Sequence, residues 1–90
     1  MTMTNISEPV AIKVYAIQRA IHIELIDGRV ISFPADRFKI LSQASDDQLR
    51  EATLRLNRFA LRWDNLDEDI TVKGIIAGNI QLPLNESTQA

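Results

Sequence analysis

Ala52-Thr53-Leu54-Arg55-Leu56-Asn57-Arg58-Phe59-Ala60-Leu61-Arg62-Trp63 admits two readings. As a continued helix, it aligns Leu49, Ala52, Leu56, Phe59 and Trp63 on one face and leaves Leu54 and Leu61 outside. As a hairpin turning at Asn57-Arg58, it places Leu54, Leu56, Phe59, Leu61 and Trp63 on one face. Thr53, Arg55, Ala60 and Arg62 then take the other. The hairpin gathers five large apolar side chains and strands none, so it is favoured, with the helix as the alternative. It requires Arg58 to adopt positive φ without being glycine.

Upstream, Ser45-Asp46-Asp47-Gln48 has the form of a capping box, so a helix starts at Asp46. Asp46 and Asp47 in its first turn suit the helix dipole. Pro34 to Ser42 reads as another short helix, with Phe38, Ile40 and Leu41 as its apolar side. Three strand signals precede it. In Val10 to Ile17, Ile12, Val14 and Ala16 alternate with Lys13, Tyr15 and Ile17. Next, Ile21, Ile23 and Leu25 alternate with His22 and Glu24. Asp27-Gly28 then signals a tight turn with positive φ at both residues, and Arg29 to Phe33 returns. Pro34 stops that strand.

Downstream, Thr71 suits an N-cap, with Ile70 and Ile75 as a hydrophobic staple around it. Val72, Ile75 and Ile76 are expected to face the core, and Gly78 to stop the helix. Ile80 to Leu84 reads as a short extended segment that Pro83 confines to an edge. The expected architecture is α+β: a three-stranded antiparallel meander, short helices, a second β-hairpin and a short C-terminal helix. Residues 1–9 read as a flexible leader, 10–84 as a single domain and 85–90 as a tail.

Composition narrows the function. Ninety residues with 46% hydrophobic content support one modest core, since a chain this short buries roughly 60% of its unfolded surface. There is no Cys, which excludes disulfide frameworks, cysteine-based zinc sites and thiol chemistry. The single His, His22, excludes histidine-cluster metal sites, and among apolar strand residues it reads as structural. The net charge of −2 carries no general nucleic-acid footprint, and three glycines form no phosphate-cradling loop. The N-terminus has no basic and apolar leader of the secretory type, and no apolar run is long enough for a membrane. A cytoplasmic location is the expectation, with neither cofactor nor metal.

The stretch Trp63-Asp64-Asn65-Leu66-Asp67-Glu68-Asp69-Ile70-Thr71-Val72-Lys73-Gly74-Ile75-Ile76 resembles the bacterial domain of unknown function 2442 family. That family carries a Trp, a Leu-Asp-Glu-Asp run, then an aliphatic residue, Ser/Thr-Val, any residue, Gly and two aliphatics. Asp27 to Pro34 and Ala44 to Gln48 match its Asp-Gly-Arg segment and its capped helix. The agreement runs from about Val10 to Gly78. Two departures stand out. Family members often have glycine-rich residues where this chain has Leu56 to Ala60, and a His commonly precedes the Trp where Arg62 stands. The resemblance implies a small α+β domain without established enzymatic activity, often encoded beside another small protein family (domain of unknown function 4160) in a toxin–antitoxin-like arrangement. Some relatives add a C-terminal helix-turn-helix, which is not expected here.

The candidate partner-binding residues are Asp64, Asp67, Glu68 and Asp69, with Arg58 and Arg62. The acidic run suits a basic partner, or a divalent cation. It equally suits a helix N-terminus, where negative charge is favoured anyway. Arg55, Arg58 and Arg62 could meet phosphate or an acidic partner, or simply form a solvated strand face, with Arg62 paired to an acid of the following loop. Asp27, Gly28, Trp63, Thr71 and Gly74 read as structural, with Trp63 expected in the core. The expected function is a non-enzymatic, antitoxin-like interaction module for a small protein partner, with the product of the adjacent gene as the candidate. The alternative is a homo-oligomeric or nucleic-acid-linked regulator.

Overall fold

The computed structural model describes residues 9–82. The leader before Pro9, Pro83, Leu84 and the tail lie outside them. Six strands form two three-stranded antiparallel sheets, in the order β1-β2-β3 and β4-β5-β6. The first comprises β1 (Ala11–Ile17), β2 (Ala20–Leu25) and β3 (Val30–Pro34). Two short helices, α1 (Lys39–Ser42) and α2 (Asp46–Leu49), lead to β4 (Thr53–Arg55), β5 (Ala60–Trp63) and β6 (Glu68–Thr71). Helix α3 (Val72–Ile76) follows directly. The class is α+β.

Residues 52–63 form a hairpin. Thr53 pairs with Arg62, Leu54 with Leu61 and Arg55 with Ala60, the register of a turn centred on Asn57-Arg58. The turn is looser than expected. Leu56, Asn57 and Arg58 all take positive φ (54°, 55° and 73°), so regular pairing stops at Arg55 and resumes at Ala60. Leu56 thereby leaves the pleat and is 70% exposed instead of facing inward. Ala60, on the outer face by alternation, is buried. It lies between Arg55 and Thr71 on the flanking strands and is too small to emerge.

The first sheet departs from expectation at two points. Its register shifts between Ala11 and Lys13, where one extra residue on β1 forms a bulge. Ala11 is therefore the buried residue and Ile12 is exposed. At the β2–β3 turn only Gly28 has positive φ, at 96°. The Gly28 amide donates to the Leu25 carbonyl, and the Leu25 amide donates to the Arg29 carbonyl. This is a three-residue loop closed by a left-handed glycine, rather than a two-residue turn with both residues left-handed.

The helix expected over 34–42 is two pieces. A 3₁₀ turn at Ala35–Arg37 and α1 are separated by Phe38, which is extended (φ −123°, ψ 132°) and buried. Burying Phe38 against Phe33, with ring centroids 5.1 Å apart, overrides helical continuity and turns Ile40 outward. The capping box is complete: the Gln48 amide donates to Ser45 Oγ, and the Ser45 amide donates to Gln48 Oε1. Helix α3 is capped at Thr71, whose Oγ1 accepts from the Gly74 amide at 3.0 Å. It ends in a Schellman turn at Gly78 (φ 85°), with the Asn79 amide donating to the Gly74 carbonyl and the Gly78 amide to Ile75. Five residues make too short a helix to bury a third apolar residue, and Ile76 is exposed. Ile80 to Leu82 form no strand; the Gln81 and Leu82 amides both donate to the Arg37 carbonyl.

Both sheets contribute to one core cluster. Ile21, Ile23, Leu25 and Phe33 come from the first, Leu61, Trp63 and Ile70 from the second, and Phe38, Leu41 and Leu49 from between them.

Candidate functional site

The acidic run is expected just before the N-terminus of α3. Half of it is strand β6. Trp63 pairs with Glu68, Arg62 with Asp69 and Leu61 with Ile70. The connection is a 3₁₀ turn at Asp64–Leu66, and Asp67 closes it in the left-handed region (φ 53°). Asp tolerates that conformation better than most residues. The run Leu-Asp-Glu-Asp-Ile has too few β-formers to announce a strand. What marks it is that Ile70 must cover Leu61.

This turn brings four charged side chains together around Arg62. Arg62 Nε donates to Asp64 Oδ1 at 2.8 Å, Nη2 to Asp67 Oδ1 at 2.8 Å and Nη1 to Asp69 Oδ1 at 3.0 Å. Arg55 Nη2 donates to Asp64 Oδ2 at 2.7 Å. The spacing is a consequence of the sheet. Arg62 and Asp69 are direct cross-strand partners, Arg55 lies on the same outer face, and the turn swings Asp64 and Asp67 back over them. Hydrogen bonds from Arg62, then Arg55, hold the Asp64 carboxyl below the ordinary carboxylate range. Reciprocally, bonds to Asp67, Asp64 and Asp69 raise the Arg62 guanidinium.

Two of the three arginines considered for phosphate therefore serve this cluster. Arg58 does not join it; it sits exposed at the hairpin tip, where its carbonyl accepts from the Ala11 amide. Glu68 does not join it either, because it lies opposite Trp63 on the inward-facing side and is half-buried. Three aspartates against two arginines leave one surplus negative charge on this face. Asp67 is the most projecting of them, with its side chain 91% exposed. Among the described residues no group of three or more His, Cys, Asp or Glu is arranged to hold a metal ion.

The remaining candidates are structural in placement. Trp63 is fully buried, and its Nε1 donates to the Leu49 carbonyl at 3.0 Å. That carbonyl ends α2, where a short helix leaves acceptors without intrahelical partners. Asp27 accepts from the Arg29 amide and side chain, which lowers its carboxyl pKa. His22 Nδ1 and Ser32 Oγ are hydrogen-bonded at 2.6 Å across the first sheet, and the imidazole stacks on Tyr15 with centroids 5.1 Å apart.

Arg19 was not singled out from sequence. In the β1–β2 turn it reaches the carbonyls of Leu41, Ser42 and Ala44 and pairs with Asp36 and Asp46. It thus ties the first sheet to the C-terminus of α1, where a cation is favoured. No local pattern announces this, since its partners are 17 to 27 residues away.

No curated protein matches the chain. A solved structure of a protein of unknown function from Rhodospirillum rubrum ATCC 11170 is similar, with 28% sequence identity and a TM-score of 0.76. The similarity covers 93% of this chain and 100% of that one. Among the described residues no helix is long and apolar enough to cross a membrane. Residues 11–81 match the family described as protein of unknown function (DUF2442), spanning both sheets and the Asp64–Asp69 turn, and the chain belongs to that family.

Proposed function

We propose that this chain is a non-enzymatic interaction module of the antitoxin-like kind, which binds a small basic protein through the acidic edge of its second sheet. The observation that supports this is the arrangement around Arg62. Three aspartates on and beside an edge strand are held in fixed positions by one guanidinium, with negative charge in surplus. Carboxylates already ordered lose little conformational entropy on binding. Charge of one sign on a rim steers encounter with a partner of the other sign.

The test is co-expression with the product of the neighbouring gene, followed by size-exclusion chromatography of the pair. The expected result is a complex that weakens with salt and in Asp67→Asn/Asp69→Asn. Separate elution at low salt, or a complex indifferent to both perturbations, would refute the reading.

A further inference from the structure

The two sheets present four strand edges, and three carry features that discourage pairing with another chain. Strand β1 bears the bulge and Lys13, and the Ala11 amide ties it to the second sheet. Strand β4 is three residues long and ends in Arg55. Strand β6 carries Glu68 and Asp69. Charges, prolines, bulges, short length and cover are the devices that keep edges from templating other strands. Strand β3 carries one of them only at its end, Pro34, and none between Val30 and Phe33; among the described residues no strand pairs with its far side.

The hydrogen-bond phase of β3 fixes what its edge offers. The Leu25 amide donates to the Arg29 carbonyl and the Ala35 amide to the Arg19 carbonyl. These two contacts bracket the β2–β3 ladder, whose antiparallel register is Ile23 with Ile31 and Ile21 with Phe33 between them. Antiparallel bonding alternates, so Ile31 and Phe33 bond inward to β2 while Val30 and Ser32 turn their amides and carbonyls to the open edge. Pro34 would be next in phase, and having no N–H it ends the donor row.

We infer that a second copy of this chain pairs with the edge, β3 against β3 in antiparallel orientation about a two-fold axis through Ile31. That register sets Val30 against Ser32 of the other copy, and Ser32 against its Val30, for four backbone hydrogen bonds. Ile31 then meets Ile31 of the second copy on the core side, the closer-spaced kind of antiparallel pair. Arg29 falls opposite Phe33, so no like charges face each other. The segment is self-complementary, which a two-fold interface requires. The contact is small, so it belongs to the weak class of interface. It uses the opposite sheet from the acidic edge, and it stands or falls independently of the partner reading.

Sedimentation equilibrium of the whole chain tests it. The expected mass moves from 10.2 kDa toward twice that value, with a midpoint on the order of 100 μM. Two double variants test the register. Val30→Lys/Ser32→Lys places like charges across both contacts and should remain monomeric. Val30→Lys/Ser32→Glu places opposite charges there and should dimerise. Both remove the Ser32 hydroxyl bonded to His22. Ser32→Glu alone, expected to stay monomeric, controls for a contact of the introduced carboxylate with His22 within one chain, and circular dichroism checks that all three are folded. A wild-type chain monomeric to about 1 mM, or two variants with equal association, would overturn the inference.

Discussion

Replacing Trp63 with Phe should destabilise the protein by about 3 kcal/mol, through two effects of comparable size. The indole is fully buried and donates to the Leu49 carbonyl at 3.0 Å. Phenylalanine cannot donate, which leaves a buried acceptor at the end of α2 unsatisfied at a cost of about 1–3 kcal/mol. It is also smaller by roughly 40 Å³, and at about 24 cal/mol per Å³ an uncollapsed cavity of that size costs about 1 kcal/mol. A domain of this size has only about 5–10 kcal/mol of total stability, so the loss is a large fraction of it. The melting temperature should fall by roughly 12–24 °C. Urea unfolding followed by far-ultraviolet circular dichroism measures the change without relying on the fluorophore removed. A loss below about 1 kcal/mol, with an unchanged denaturant slope, would show that the indole neither caps α2 nor fills the core as described.

Gly74 carries a double-mutant test. A Cβ there would lie 2.8 Å from Thr71 Oγ1, so Gly74→Ala should gain almost nothing in the wild type, its helix propensity of about 1 kcal/mol offset by the disturbed cap. In a Thr71→Ala background the same change should stabilise by about 1 kcal/mol, as chemical denaturation of the four proteins would show. Gly28→Ala meets no steric obstacle yet should cost about 1–2 kcal/mol by thermal denaturation, because its φ of 96° lies where L residues are strained. Acid should weaken the turn around Arg62. Hydrogen bonds from Arg62 lower the folded-state pKa of Asp64, so its contribution is present above the unfolded carboxylate value and disappears as pH falls through the lower folded value. Stability measured below about pH 4 should therefore fall less steeply in Asp64→Asn than in the wild type.

What the sequence made legible was local. The Ser45–Gln48 box, the Thr71 cap, the Gly78 stop and the β4–β5 register each depend on residues within about ten positions, and side-chain chemistry or alternation suffices to place them. Strand β6 was not legible, because Glu68 to Thr71 is polar and becomes a strand only by covering Leu61 and pairing with β5. The acidic run and the arginines were visible as candidates, and so was a pairing of Arg62 with an acid of the following loop, which the structure bears out. The convergence of three aspartates on Arg62 was not, because the turn that swings Asp64 and Asp67 over it depends on a left-handed Asp67. Alternation groups Ile12 with Val14 and Ala16 and places Leu56 on the inward face of the hairpin, and each is displaced by an irregularity, a bulge in one case and a left-handed loop in the other. Arg19 reaches carbonyls more than twenty residues away, a relation no window of sequence contains.

The most direct test of the acidic edge as a binding surface is a residue-resolved titration. Amide nitrogen–proton spectra of the isotope-labelled chain would be recorded as the unlabelled product of the neighbouring gene is added. The account predicts shifts concentrated at Arg62, Asp64 and Asp67 to Thr71, reversed by added salt. Shifts confined to other surfaces, or none at saturating concentrations of the added protein, would contradict it.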